Sequence, residues 1–540
     1  MKKNKNLFLG IALASVPLLM VGASMLKAPK NIIRANALSG EGTVDDPIVI
    51  STAADLEEVM FNVNSGTDDY KDKYLSITSD VSVSLIGTSN SKTFRGHLNG
   101  NGHTITLSSS ATGNEVALFN CVGSVGSVSN ITFAGTISGV GKGSSTVCCW
   151  NYGLIENIVN NCQFSSTNTN GLLGGIAGSQ IASTATTRNC INNATISGVK
   201  YVGGIVGNLR VGTISNCVNN GNITGSSTAV AGIAGLIGKD AASINNAIIT
   251  DCTNEGNISG VGQVGGIAGG LYPQLTCTNC SNYGDISASG NSGAGGIAGY
   301  IASSASASFT FTNCYSSGTV TTGNGWAGGL FGYAQSAATG TMTFNNVLSA
   351  AKLVCTSATG NLGGFMAGQN GSAMTFNLIK CQSMASVSYS GTGNFSTGIG
   401  ISATTIGTNE DSSLGVNDQD HGVELSSTTI ALLRAIREFN CAYDATMANT
   451  VSTGVNNLTA DEIDVLSLTV HFGKNDYVNT YYYSALYIDG YLSTHAFASI
   501  GITPEKLFNS STIIIVIAGI TVISGLSLML VFRRKRKLSK

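Results

Sequence analysis

Two patterns of apolar and polar positions recur along this chain, and neither has the period of a helix. In Phe309-Thr310-Phe311-Thr312-Asn313-Cys314 the apolar residues occupy every second position until the asparagine. That alternation predicts a strand with one face buried, ending where the chain turns. The second pattern is a run of small residues, Gly-Gly-Ile-Ala-Gly and its variants. Around Cys217 the order is Ile214, Asn216, Cys217, Asn219, Gly221, Ile223 and Gly225, followed by Ala231-Gly232-Ile233-Ala234-Gly235. The same order returns around Cys190, Cys252, Cys280 and Cys314, and more loosely around Val347 and Cys381. The small-residue runs begin at Gly174, Gly203, Ala231, Gly265, Gly295, Gly328 and Gly363, at intervals of 29, 28, 34, 30, 33 and 35 residues. A period of this size marks stacked repeats whose length differences fall in loops. So much Gly, Thr and Ser also opposes helices.

Stacking the repeats gives each column a physical task. Ile214, Ile249, Phe311 and Phe344 form one inward column, and Ile196, Ile223, Ile258, Ile286, Val320, Leu353 and Val387 a second. Asn189, Asn216, Asn279 and Asn313, with Asp251 as the variant, predict a turn ladder hydrogen-bonded from coil to coil. Asparagine also tolerates the left-handed backbone better than most residues. Eight to eleven coils would make a rod roughly 40–50 Å long at the spacing of paired strands.

The flanks complete the arrangement. Ser51 or Thr52 can cap a short helix from Ala53 to about Val63, with Leu56, Val59, Met60 and Val63 on one face. An array of stacked coils needs its open end covered by such an element. Strands are predicted at Tyr74–Ile77, on either side of the Asn-Gly pairs of 99–102, and at Leu118-Phe119, Ile131–Phe133 and Leu154–Ile158. We assign 38–160 to the cap and first coils and 161–402 to the repeats. From about Ala403 the pattern stops, and 403–508 reads as a membrane-proximal module or spacer. Within it Thr428 to Tyr443 has helical spacing, Thr459–Glu462 has capping-box form, and Tyr481-Tyr482-Tyr483 suggests a strand.

The two ends place the chain. Lys2, Lys3 and Lys5, an apolar run from Leu7 to about Leu26, and Ala35-Asn36-Ala37 have the form of an export signal over 1–37. An uncleaved N-terminal anchor is the other reading of that segment. Ile513 to Phe532 carries no charge over 20 residues, the length needed to cross a bilayer, and is followed by a basic tail over 533–540. The basic excess orients the tail to the cytoplasm. The expectation is a single-pass protein of a bacterial plasma membrane with 38–510 outside.

Several phrases, Gly42-Thr43-Val44-Asp45-Asp46-Pro47-Ile48, Phe94 to Ile105 with its Leu98-Asn99-Gly100-Asn101-Gly102-His103, and the recurrent Gly-Gly-Ile-Ala-Gly with Asn-Cys-x-Asn-x-Gly-x-Ile, together resemble bacterial surface proteins of the GLUG-repeat type. The similarity covers roughly residues 40 to 400. It implies a right-handed parallel β-helix close in shape to the pectate-lyase-like solenoids. The expected fold is thus all-β: a right-handed parallel β-helix with an N-terminal capping helix, a small mixed C-terminal module and one C-terminal transmembrane helix.

Repeats of this type also accompany zinc peptidases that cleave immunoglobulin A, which need His-Glu-x-x-His to present two ligands and a base on one helix face. None of His97, His103, His421, His471 and His495 lies in such a motif. Asp251 and Asp285 occupy columns where asparagine is usual, alongside Asp240 and Glu255, and make no obvious acid cluster. Cys277 and Cys280 have the spacing of a redox or zinc half-site, but Phe311 and Cys314 hold the same two places one repeat on, so both read as core. The 13 cysteines are odd in number, and most sit in one column; stacked Cβ atoms there would lie too far apart for disulfides, so buried free thiols are expected. No catalytic, metal or cofactor site is assigned.

Only 10% of the chain is charged and the net charge is −2, which gives nucleic acid no electrostatic hold. Tyr300 and Tyr333 follow the closing glycines of adjacent repeats, and Trp326 lies just before the second. Such stacked aromatics can hold a sugar or peptide, or simply cover core. The function expected is adhesion or interaction with host or neighbouring surfaces, through a surface glycan or protein. A carbohydrate-active enzyme on the same fold and a purely structural spacer are the alternatives.

Overall fold

The computed structural model describes residues 38–396 apart from short loops, with side chains through Asn377, and the strand backbones of 405–410, 446–449, 467–472 and 479–484. The chain forms two compact units, Met1–Ser39 and Gly40–Lys540. All that follows concerns the second. The export signal over 1–37, the helix over Thr428–Tyr443, and the span Ile513–Phe532 with its tail lie outside the described residues. Among the described residues no helix is long and apolar enough to cross a membrane.

Every coil is cut into short strands by its glycines and asparagines. One coil runs through Gly212–Ser215, Val218–Asn219, Ile223–Gly225, Thr228–Ala231 and Ala234–Ile237. Each strand pairs in parallel with its counterpart on the neighbouring coils. The result is an all-β parallel solenoid of the right-handed type with about ten turns. The first three strands of each coil build one broad sheet, the fourth a second sheet and the fifth a third. The broad sheet's pairing continues to Thr405–Glu410, whose backbone pairs with Ala373–Ile379 across an irregularity at Phe376/Asn377. Further on, Thr446–Asn449, Ser467–Phe472 and Asn479–Ser484 pair antiparallel, with Tyr481 to Tyr483 inside the last strand.

The repeat period of the sequence is the coil. Gly174, Gly203, Ala231, Gly265, Gly295, Gly328 and Gly363 are all register partners in the second sheet. Ile214, Ile249, Cys277, Phe311 and Phe344 form one continuous inward column, and Ile196 to Leu353 the other, with Val387 next in register. These side chains are buried through Leu353. Each large one stabilises by about 1.5–3 kcal/mol through area removed from water.

The cap helix α1 spans Ala53–Ser65 with Thr52 as its N-cap in a capping box with Asp55, and it ends on left-handed Gly66. It packs Leu56, Val59, Met60 and Val63 inward, as its spacing predicts.

Two asparagine ladders run along the stack, an outer one from Asn130 to Asn313 and an inner one from Asn160 to Asn282. The outer one is the predicted turn ladder. Asn130, Asn157, Asn189, Asn216, Asp251, Asn279 and Asn313 all have positive φ, between 50° and 57°. Asn157 Nδ2 donates to Asn130 Oδ1 at 2.9 Å, Asn279 Nδ2 to Asp251 Oδ1 at 2.9 Å, and Asn313 Nδ2 to Asn279 Oδ1 at 3.0 Å. From Asn189 onward a cysteine follows each of these turns and donates its thiol to the carbonyl two residues back, at 3.1 Å for Cys190, 3.2 Å for Cys217 and 3.2 Å for Cys252. A valine would fill that space and leave the carbonyl without this donor.

The inner ladder is fully buried. Asn160, Asn192, Asn219, Asn254 and Asn282 are each 0% exposed. Each of the first four donates through Nδ2 to the Oδ1 of the next at 2.7 Å. The second amide hydrogen of Asn219 and of Asn254 goes to the carbonyl of the following glycine, Gly221 and Gly256, at 2.8 Å in both cases. This ladder explains the second glycine of each Gly-Gly pair. A Cβ on Gly204 would sit 2.3 Å from Asn219 Oδ1, and one on Gly232 would sit 2.1 Å from Asn254 Oδ1.

Candidate functional site: an aromatic cluster on the third sheet

The third sheet is built from strands that follow the Gly-Gly pairs, and small residues dominate it. Asn208, Leu236, Gly270, Tyr300, Tyr333 and Gly368 form one register column there. Tyrosines thus fill two adjacent rungs between glycine rungs. In the second sheet Trp326 is the register partner of Gly293. Gly293 is required where it stands, because a Cβ would lie 2.8 Å from Tyr333 N and 2.9 Å from Tyr333 Cβ.

The structure brings all three sequence-predicted aromatic residues together. Ring centroids lie 5.7 Å apart for Tyr300 and Tyr333, and 4.8 Å apart for Trp326 and Tyr333. Tyr300 is only 9% exposed, and its hydroxyl donates to Gln335 Oε1 at 2.7 Å. Burial, helped by Tyr333 and Tyr272, pushes its phenol up to about 12, so it stays a neutral donor. Trp326 and Tyr333 are half-buried and form the outer part of the cluster. Tyr300 is therefore support, and the other two rings are the surface that a ligand would meet. Such a surface suits stacking on the apolar face of a sugar ring or on another planar group.

The remaining candidate chemistry is dispersed. His97 Nδ1 lies 2.9 Å from Ser127 Oγ, and its ring stacks on Tyr74 with centroids 4.7 Å apart. His103 Nδ1 lies 3.2 Å from Asp80 Oδ1. The two histidines thus serve different partners. Asp251 accepts from Asn279 in the turn ladder, and Asp285 Oδ1 accepts from Thr319 N at 2.8 Å. Among the described residues no three His, Cys, Asp or Glu side chains converge as a metal would require. Cys277 pairs in register with Ile249 and Phe311, and its Sγ lies 3.8 Å from that of Cys314.

All eleven described cysteines are free, and ten of them are buried, with Cys355 the half-buried exception. Burial pushes Cys162 up to about 12 and, with Glu115 adding to it, Cys121 to about 12 as well, from an ordinary 9.0. Because the fold favours the neutral thiol, this contribution to stability is complete below pH 9 and is lost as pH rises towards 12. We expect a urea midpoint that is flat up to that point and then falls. Alkylation of the native protein should reach Cys355 first and the other ten only on unfolding. Rapid labelling of Cys217 or Cys252 in the native state would contradict the buried column.

Two features escaped sequence reasoning. The inner ladder was signalled by the second asparagine of Asn-Cys-x-Asn-x-Gly, which reads as one more turn residue until its burial is seen. The other is the Glu115 carboxylate, which accepts from Trp150 Nε1 at 3.0 Å and from Asn120 Nδ2. No local motif joins those positions.

Compared with known protein families, the chain matches none. A stretch of 128 residues is 31% identical to a provisionally named Gly-rich membrane protein of Evansella cellulosilytica, covering 22% of this chain and 15% of the relative. The chain thus spans well under two thirds of that relative. Among solved structures, one from Bacteroides ovatus, provisionally described as an immunoglobulin A1 protease, aligns over 62% of this chain and 86% of that one. Its identity is 20% and its TM-score 0.33.

Proposed function

We propose that this chain is a membrane-anchored bacterial surface protein of the GLUG-repeat type, which displays its solenoid to bind host or neighbouring surfaces and catalyses no reaction. The observation that carries the reading is the aromatic pair Trp326–Tyr333, half-buried on a rod whose coils are already tied to one another by parallel strand pairing. A pre-ordered surface loses little entropy when it binds. The broad sheet adds to it one outward row of neutral side chains, Thr276, Thr310 and Thr343, in register. The name of the Evansella relative and the apolar run Ile513–Phe532 support anchoring in a membrane. Asp251 accepts from Asn279 in the turn ladder, Asp285 accepts from Thr319 N, and Glu156 pairs with Arg188 at 2.6 Å, so these three acids serve separate structural partners, which favours binding over hydrolysis.

The test uses the full chain in detergent, screened against immobilised glycans and cell-surface proteins beside a polysaccharide-degradation assay. We expect retention without cleavage, and at least tenfold weaker retention after Trp326→Ala with Tyr333→Ala. Unchanged retention removes the aromatic site, and released sugar would establish the enzyme reading in its place.

A further inference from the structure

Among the described residues five Asn-x-Ser/Thr tripeptides begin at Asn130, Asn193, Asn222, Asn257 and Asn279. This is the acceptor pattern for an N-linked glycan in an exported protein. In three of the five the amide nitrogen is already committed to the preceding coil. Asn130 Nδ2 donates to Asn99 Oδ1, Asn193 Nδ2 to Asn161 Oδ1 and Asn279 Nδ2 to Asp251 Oδ1, each at 2.9 Å. Asn130 and Asn279 are also held in the left-handed turn. Ser281, whose hydroxyl completes the Asn279 tripeptide, is buried.

Asn222 and Asn257 differ. They stand in one outward column, Thr195, Asn222, Asn257, Asp285 and Thr319, each just ahead of a member of the buried column from Ile196 to Val320. Both are exposed. Asn222 Oδ1 accepts from Asn257 N and Asn257 Oδ1 from Asp285 N, both at 3.1 Å, and Asp285 Oδ1 accepts from Thr319 N at 2.8 Å. The fold therefore uses the side-chain oxygen in this column and not the nitrogen, which is why aspartate serves at 285. Neither Asn222 Nδ2 nor Asn257 Nδ2 donates to a described residue. Ser259 Oγ donates to Thr224 Oγ1 at 3.2 Å, so the hydroxyls of the two tripeptides are neighbours. The residues ahead of them separate the pair. Glu255 lies two places before Asn257, and Asn220 holds the matching place before Asn222. Of the five tripeptides, that of Asn257 alone has an acid there.

We propose that Asn257 is an N-glycosylation site, to which a membrane transferase moves a glycan from a polyprenyl-pyrophosphate carrier. Nδ2 bonds to the anomeric carbon of the first sugar, and the bond from that carbon to the pyrophosphate oxygen breaks. Polyprenyl pyrophosphate leaves, and one amide proton passes to a base of the transferase. Oδ1 is untouched, so the hydrogen bond from Asp285 N survives and the coil keeps its register. The Ser259 hydroxyl completes the acceptor pattern, and the Glu255 carboxylate gives the enzyme a charge to hold with a cation. Asn222 lies one strand spacing away, about 4.8 Å, which is too close for two glycans side by side. One glycan is thus expected for the pair, on Asn257. The inference rests on the proposed placement of residues 38–510 outside the cell and not on the proposed binding.

The full chain is purified in detergent from the bacterium that makes it, and its proteolytic peptides are sequenced by mass spectrometry. Fragmentation should place a glycan on Asn257 and none on Asn130, Asn193, Asn222 or Asn279. Ser259→Ala should abolish it, and Glu255→Gln should lower its occupancy at least fivefold. Asn257→Thr, which copies Thr195 and Thr319 of the same column, should also remove it. All three variants, made in a host without such a transferase, should keep the urea midpoint of the unmodified parent, so a lost glycan is not a lost fold. An unmodified Asn257 in protein from its natural source overturns the proposal. Equal occupancy of Asn193 or Asn279 does so too, since commitment of the amide would then decide nothing. If the unglycosylated chain is still retained on cell surfaces, the binding function stands whatever becomes of the glycan. A glycosylated chain that is not retained removes the binding function alone.

Discussion

Replacing Asn219 with alanine should cost about 4 kcal/mol and open the middle of the solenoid. Its side chain accepts from Asn192 and donates to Asn254 and to the Gly221 carbonyl, all within 2.8 Å. Truncation leaves each of these buried groups without its partner, and each orphan costs about 1–3 kcal/mol. A short third row of asparagines, Asn161, Asn193 and Asn220, lies at the surface and offers the matched control. Asn193 donates to Asn161 and accepts from Asn220, at 2.9 and 2.8 Å, but at the surface, where water replaces what is lost. Asn193→Ala should therefore shift stability by no more than about 0.5 kcal/mol. A solenoid is not a simple two-state system, so the urea midpoint needs a local companion. Hydrogen exchange should show protection lost around Asn192, Asn219 and Asn254 and kept near α1. Equal effects of the two substitutions would mean that burial of the inner ladder carries no special weight.

Gly232→Ala should be comparably damaging, at about 3 kcal/mol, although alanine is ordinarily a mild replacement. The added Cβ would meet Asn254 Oδ1 at 2.1 Å and the Gly266 carbonyl oxygen at 2.5 Å. One of these is backbone of the next coil and cannot rotate away. Gly102 provides the contrast: its φ is +84°, but nothing lies within 4 Å of a Cβ there. Gly102→Ala should cost only the left-handed penalty of about 1–2 kcal/mol. Thermal unfolding of the two variants separates close approach from backbone strain. Combining Gly232→Ala with Asn254→Ala should cost less than the sum, since removing the amide relieves part of the clash. Strict additivity would show that the glycine and the asparagine are not one packing unit.

These expectations come from different levels of the molecule. The coil was legible in the chain because its causes are local. A period-two alternation ending at asparagine, with a small-residue run at each return, leaves few ways to place Phe309, Phe311 and Ile286 indoors. The turn ladder was legible for the same reason, since a left-handed bend favours asparagine wherever it occurs. Tyr300, Trp326 and Tyr333 could be brought together from their offsets within adjacent repeats. Their unequal exposure could not, because it depends on Gly293 and on Gln335 reaching back from the next coil.

What the sequence by itself determined is the repeat, its length, the residues that face inward and the helix that begins at Ala53. All follow from short-range rules of period and backbone preference. What only the tertiary structure decided is which polar residues are buried and which faces carry charge and aromatic rings. Asn192, Asn219 and Asn254 look like turn residues in a line of letters. They become a continuous buried ladder only when coils roughly thirty residues apart lie at strand spacing, with a glycine opposite each amide. The meeting of Glu115 with Trp150, 35 residues on, is likewise invisible in a net charge of −2. It arises because neighbours along the solenoid axis are set by register, and register is a property of the stacked coils.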